Sequence, residues 1–381
     1  MSKQKVTGLV LTGGGARGAY QAGVLQGIAE ITAKHGKAVP FGVISGASAG
    51  AINASFVAAA ADDFTSAMAR LAKFWGSLHS GSVFRTDVRS LARIGFNWAG
   101  DLTMGSLKGS KRARALFDTT PLQQLIADSI PFRRIRANLD SGIIQACEVS
   151  ALDYRTSENV SFIMSRTPIA EWVHPRRRSV FSEIAAQHVL ASSAIPLLFP
   201  PVNVEGRHYG DGCVRNPAPF SPAIRLGASR LLIVGVRHGR SPGVPRPENL
   251  PSALRPSIAR ILGVVINAVM MDTVEHDIDR LARLNAVVRG VPNEYRQQMP
   301  LKEIEFLAIQ PSEDLGEMAA QQFHRLPAAI QYVVRGLGSR TEASELVSYL
   351  LFEPSFCRLI SELGRQDAHR RQDEIAAFLL E

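Results

Sequence analysis

The sequence predicts an α/β chain with a central, mostly parallel sheet and a helical C-terminal extension, on three observations. A strand signal, Val6-Thr7-Gly8-Leu9-Val10-Leu11, runs into Thr12-Gly13-Gly14-Gly15-Ala16-Arg17-Gly18 and then into helical spacing over residues 19–33. A second apolar run over residues 39–45 passes at once into Gly46-Ala47-Ser48-Ala49-Gly50 and an alanine-rich helix. Beyond a proline-rich break at residues 240–251, Ile261, Val265 and Val269, then Val274, Ile278, Leu281 and Val288, repeat at helical spacing and read as a stripe packed on a core.

Residues 6–45 have the size and order of one βαβ unit, in which successive strands lie parallel. Both loops then leave the carboxyl edge of the sheet and face one crevice. A glycine-rich turn that opens a helix presents backbone N–H groups to negative charge. That charge is a developing oxyanion or a phosphate. Gly13, Gly15 and Gly18 also satisfy the dinucleotide spacing G-x-G-x-x-G. The acid that should close the second strand and hold a ribose is missing, since Val43-Ile44-Ser45-Gly46 ends it. No Gly-Lys-Ser/Thr follows to make a phosphate loop.

Gly46-Ala47-Ser48-Ala49-Gly50 is a G-x-S-x-G pentapeptide between strand and helix, the layout of a nucleophile elbow. A strained turn there lifts the Ser48 hydroxyl into a cleft, while flanking glycines admit close backbone. Alone the pentapeptide is a weak signal, because Gly and Ser are common; its position after the glycine-rich loop gives it weight. A serine nucleophile needs a base. None of the nine histidines lies in a stretch that marks it as one. Asp211, in His208-Tyr209-Gly210-Asp211-Gly212-Cys213, follows a hairpin signal that turns at Glu205-Gly206 and is the stronger candidate. An aspartate in a turn is also ordinary turn chemistry, and both readings stand at this point.

Four motifs in order, Gly13 to Gly18, Gly46 to Ala54, Ala191-Ser192-Ser193-Ala194-Ile195-Pro196-Leu197-Leu198-Phe199-Pro200-Pro201-Val202 and Asp211-Gly212, resemble those of the patatin-like phospholipases over about residues 6–240. The resemblance implies a three-layer α/β/α patatin-like fold and a lipid acyl hydrolase, of phospholipase A, lysophospholipase or esterase type, that uses a Ser-Asp dyad without histidine. Carried onto this chain, it implies Ser48 as nucleophile and Asp211 as general base. It assigns the oxyanion hole to Gly13, Gly14, Gly15, Ala16, Arg17 and Gly18, and the elbow to Gly46, Ala47, Ala49 and Gly50. Asp211 sits in an Asp-Gly motif with Gly212 and Cys213. Cys213 departs from the small Gly or Ala usual there and reads as a packing adjustment without redox role. Arg17 either adds positive potential beside the loop or pairs with a carboxylate on the helix. The resemblance implies no cofactor and no metal.

At 381 residues and 46% hydrophobic content the chain can bury a large core. We expect a catalytic domain over residues 1–240 and a mostly helical extension over 241–381, packed on or linked to it. Three cysteines, Cys147, Cys213 and Cys357, argue against a disulfide framework. The apolar run after Lys3 and Lys5 is too short for a secretory signal, and no stretch reaches the roughly 20 apolar residues of a membrane span. A cytoplasmic enzyme is expected.

Residues 1–240 carry 28 Lys and Arg against 15 Asp and Glu, net +13, and residues 241–381 carry 15 against 19, net −4. Basic residues mix with Phe74, Trp75, Phe84, Phe96 and Trp98 over residues 70–114, and Arg176-Arg177-Arg178 follow His174-Pro175. Peripheral contact with an anionic membrane, at its inner surface, is one expectation for these clusters; an ordinary solvated face is the other. Phospholipid or another acyl ester is the expected partner. Nucleic acid is not, for want of a binding module. Competing functions are an acyltransferase with the same dyad, a dinucleotide-binding oxidoreductase, and a lipid-binding scaffold without activity.

Overall fold

A computed structural model describes residues 5–36, 40–85, 115–238, 256–296 and 298–380. The proline-rich break and the pair Phe96 and Trp98 lie outside the described residues. Ten described strands make one sheet in the order β10-β9-β1-β2-β3-β4-β6-β5, with the β7–β8 hairpin joined through β8 to β3. β1 (Thr7–Leu11), β2 (Val43–Ala47), β3 (Ala146–Asp153), β9 (Arg230–Val234) and β10 (Glu305–Ile309) run parallel. β4 (Glu158–Ser165) turns back antiparallel on β3, followed by β5 (Val173–His174) and β6 (Arg177–Phe181) at the far edge.

The central strands alternate between two cores, as a period of two requires. Leu9, Leu11, Ile44, Leu232 and Val234 enter one cluster, and Val10, Val43, Leu231 and Ile233 enter the other. The first is covered by α1 (Gly18–Lys34), α2 (Ala49–Ala59), α3 (Phe64–Ser77) and helix Pro354–Arg370. The second is covered by helices Ser221–Arg225 and Asp272–Gly290, the latter through Val274 and Leu281. Helices on both faces of a mostly parallel sheet make the predicted three-layer α/β/α architecture.

Helix Pro354–Arg370 lies along α1 so closely that a Cβ at Gly23 would collide with the Ser361 carbonyl, and one at Gly364 with the Tyr20 carbonyl. Tyr20 Oη, inside this contact, donates to Asp367 Oδ2 at 3.0 Å. The C-terminal segment also supplies β10, in register with β9 from Glu305↔Arg230 to Ile309↔Val234, an element absent from the sequence reading.

One predicted stripe points outward. In helix Ile258–Met270 the residues turned inward are Ala259, Gly263 and Met270, whereas Ile261 and Val265 are about half exposed. Gly263 lies beside the Glu345 side chain, and Ile266 and Val269 pack partly against the core. No helix among the described residues is long and apolar enough to cross a membrane.

Candidate active site

β2 ends at Ala47 and α2 begins at Ala49, so Ser48 turns the chain in a single residue. Its backbone is forced to φ 55°, ψ −128°, a region that costs a non-glycine residue about 1–3 kcal/mol. Neighbours hold it there. Ser48 N–H donates to Ser192 Oγ at 2.9 Å, and Ser48 C=O accepts from Ser193 Oγ at 3.1 Å. A Cβ at Gly46 would strike the Gly50 carbonyl, and one at Gly50 the Leu11 carbonyl, so only glycine admits this turn. Ala47 and Ala49 are both buried, and Ala49 packs against Gly18.

Asp211 closes β8 (Arg207–Asp211), which follows β7 (Val202–Val204) through Glu205 and Gly206, both at positive φ, as a two-residue hairpin turn requires. β8 pairs with β3, placing Asp211 opposite Ala151. The segment that clamps Ser48 clamps Asp211 too: Asp211 N–H donates to Ala194 C=O and Gly212 N–H to Ser192 C=O. Ser192 and Ser193 stand in a motif the sequence displays, but their function as a joint support shows only in three dimensions.

Ser48 Oγ donates to Asp211 Oδ2 at 2.6 Å, and the backbone N–H of Cys213 donates to Asp211 Oδ1 at 2.9 Å. Both side chains are buried, Asp211 completely. Burial pushes the Asp211 carboxyl up to about 6, against the opposing pull of the bonds from Ser48 and Cys213. The Cys213 thiol hydrogen-bonds to the same carboxyl, and burial beside that charge holds the thiol well above its ordinary range. Cys213 therefore touches the Asp211 carboxyl as well as filling space. Gly13 fits between them: a Cβ there would collide with Cys213 Sγ and stand 2.8 Å from Ser48 Cβ. Gly212 rests on the Ser150 carbonyl with the same lack of room. Among the described residues no histidine hydrogen-bonds to Ser48 or Asp211; His208 is exposed, and His238 Nδ1 meets the Pro311 carbonyl at 2.9 Å.

The glycine-rich loop continues past Gly13 and Gly14 into a 3₁₀ turn, Gly15–Arg17, and then α1 from Gly18, so its amides stand at a helix start where intrahelical acceptors are lacking. Gly14 packs on Val236 and Gly18 on the Trp75 ring, and Ala16 is wholly buried. Gly15 has φ 57°, and the Tyr349 carbonyl occupies the place of any Cβ. The Arg17 side chain, 2% exposed, turns toward helix Ser344–Leu350. Its Nε donates to Ser348 Oγ at 2.9 Å, its Nη2 to Glu345 Oε2 at 2.5 Å, and its guanidinium lies 5.1 Å from the Tyr349 ring centroid. The carboxylate that Arg17 pairs with is thus Glu345, on helix Ser344–Leu350, and not one on α1.

Ser48 and Gly15 line one cavity, walled by Ile52, Trp75, Phe199 and Phe352 among other apolar side chains. A second recess is lined by Gly13, Ser45, Ala47, Ser150 and Cys213, without Ser48. Arg176, Arg177 and Arg178 lie at the β5–β6 edge, where Asn159, in register with Arg177, donates to the Gly212 carbonyl at 2.9 Å. Arg178 pairs there with Asp153 at 3.2 Å and Glu158 at 3.3 Å, while Arg176 is exposed.

A mostly parallel sheet covered on both faces, with a strained serine at the carboxyl end of its second strand, defines a protein of the α/β class, and residues 9–224 match the family model for patatin-like phospholipase. The chain belongs to the patatin-like phospholipase family. Similar solved structures include VipD from Legionella pneumophila (14% identity, TM-score 0.29, 91% of this chain and 67% of that one). Another is human GIVD cytosolic phospholipase A2 in complex with methyl gamma-linolenyl fluorophosphonate (13%, 0.39, 99% and 60%). A third is full-length ExoU with SpcU from Pseudomonas aeruginosa (15%, 0.28, 95% and 71%). This chain thus spans 60% of the human enzyme's length. No curated protein sequence matches it.

Proposed function

We propose that the protein is a serine lipid acyl hydrolase of phospholipase A, lysophospholipase or esterase type, with Ser48 as nucleophile and Asp211 as its general base. The observation that carries this reading is the 2.6 Å hydrogen bond from Ser48 Oγ to a fully buried Asp211 carboxyl at a strained elbow. In the first step the Ser48 Oγ attacks the ester carbonyl carbon while its proton passes to Asp211. The carbonyl oxygen, now negative, is met by backbone N–H groups of the Gly14 to Ala16 turn, each worth about 3–4 kcal/mol in the transition state. Collapse breaks the ester C–O bond. The alcohol leaves with the proton from Asp211, and Ser48 is acylated. Water then attacks the acyl-enzyme, giving its proton to Asp211; the acid departs and the proton returns to Ser48 Oγ.

A nucleotide does not suit this loop, because Gly13, Gly14 and Gly15 are closed in by Ser48, Cys213, Val236 and Tyr349. We place the enzyme in the cytoplasm, acting on phospholipid or a related acyl ester at an anionic bilayer, with Arg176 as the exposed member of its arginine cluster. Labelling with a fluorophosphonate tests the central claim. One adduct on Ser48, abolished by Ser48→Ala, is expected; labelling that persists in Ser48→Ala would overturn the assignment.

A further inference from the structure

The acyl cavity is built partly from chain that follows the matched region 9–224. Ser48, Gly15 and Ser193 supply its polar part, and Phe352 closes on the same space with Phe199, Leu122 and Trp75. Phe352 is 6% exposed, and its ring stands edge-on to Phe84, with centroids 6.2 Å apart. Phe84 is fully buried and stacked on Phe117 at 4.5 Å, and Phe117 meets Phe199 edge-on at 6.4 Å. The wall is also tied by polar contacts. Buried Ser80 donates to the Phe352 carbonyl at 3.3 Å and to Glu353 Oε1 at 2.9 Å, and Phe352 N–H donates to Leu350 C=O at 2.8 Å. Just upstream, Tyr349 presses on Gly15 and Arg17 is bonded to Ser348 and Glu345. Residues 345–353 are thus fixed against both the oxyanion loop and the aromatic wall, and Phe352 has core behind it.

We propose that Phe352 is a specificity-determining residue that closes the acyl pocket and limits the length of acyl chain this hydrolase accepts. The inference rests on the reading of Ser48 as nucleophile. Up to that wall each methylene moves from water to apolar side chains, raising kcat/KM about fourfold. Past it the chain must displace close-packed aromatics, which yield poorly.

The test is a series of 4-nitrophenyl esters from acetyl to hexadecanoyl in a fixed detergent, with the full chain. Wild type should rise with length and then fall before hexadecanoyl. A profile still rising at hexadecanoyl would overturn the proposal whatever any variant does. Phe352→Ala should raise the hexadecanoyl-to-octanoyl ratio of kcat/KM at least tenfold, and Phe352→Trp should lower it. Phe352→Leu, a milder cut, should move the fall in the same direction as Ala and serves if Ala does not fold. Uniform loss at every length would reduce Phe352 to a structural residue and overturn the claim. Hydrolysis that survives Ser48→Ala would strike the nucleophile assignment instead, so the two failures are distinguishable.

Discussion

Two of the carboxyls buried in this sheet each accept a serine hydroxyl at 2.6 Å. Asp211 receives Ser48, and Glu148, in the middle of β3, receives Ser45 across the ladder and Ser150 two residues along. Ser161 on β4 is a third partner of Glu148. Both are fully buried, and burial raises the pKa of both. Short Ser–carboxyl contacts with a shifted pKa therefore do not distinguish a reactive pair from a polar knot in a core. Backbone geometry does. Ser45, Ser150 and Ser161 lie within extended strands, and three hydroxyls share the one carboxyl, whereas Ser48 stands on a strained turn; Ser45 and Ser150 line the second recess, Ser48 the cavity walled by Phe199 and Phe352.

Substitution should separate the two sharply. Ser48→Ala and Asp211→Asn should each lower kcat on a short ester by 10³-fold or more, roughly, and the double variant should lose little beyond either, because the pair acts as a unit. Glu148→Gln keeps the shape, and its serines can each donate or accept, so kcat should stay within about threefold of wild type. Loss in Glu148→Gln as large as in Asp211→Asn would merge the two sites; near-normal turnover in Asp211→Asn would remove the base.

The raised Asp211 pKa sharpens the contrast by pH. A base must be ionised, so kcat/KM should fall with decreasing pH through about 6. Stability runs the other way. A carboxyl whose pKa rises on folding binds more protons in the native state, so folding is weakened as pH climbs from about 4 to about 6, by about 3 kcal/mol for a shift of roughly two units. Asp211→Asn removes that burden. At pH 8 it should melt higher than wild type while inactive, and at pH 4 the two should converge. Asp211→Asn melting lower than wild type at pH 8 would show that the carboxylate, once paired, stabilises the fold.

The sequence exposes those parts of the site that depend on backbone chemistry. Gly13, Gly15, Gly46, Gly50 and Gly212 are required because carbonyls or side chains stand where a Cβ would be, and such positions leave a readable trace of glycine. Strand β1, α1, the elbow and the β7–β8 hairpin are local in sequence and were legible for the same reason. Glu148, Tyr349 and Phe352 leave none. They are ordinary residues in strand and helix patterns, and what they touch is decided by topology: β3 sets Glu148 beside Ser45, and the packing of helix Pro354–Arg370 on α1 carries the end of the chain back over the glycine-rich loop. The same non-local step hid β10 and turned Ile261 and Val265 to the surface.

Cys213 offers the finest cut at the comparison, because it is the contact Asp211 has and Glu148 lacks. Its thiol and its backbone N–H both favour the ionised carboxylate, opposing the burial that dominates. Tyr154 and Tyr349 are titratable groups within electrostatic reach of Asp211, and Arg17, over the Tyr349 ring, is tied to Glu345. Cys213→Ala keeps the backbone donor and removes only the thiol, so the acid limb of kcat/KM should move upward by less than about one pH unit, with the plateau rate at pH 8 nearly unchanged. Cys213→Ser, which restores a hydroxyl donor, should bring the limb back toward wild type. A limb that stays in place in both variants would make Cys213 a space-filling residue, and leave Ser48 and the Cys213 N–H as the bonds that oppose burial at Asp211.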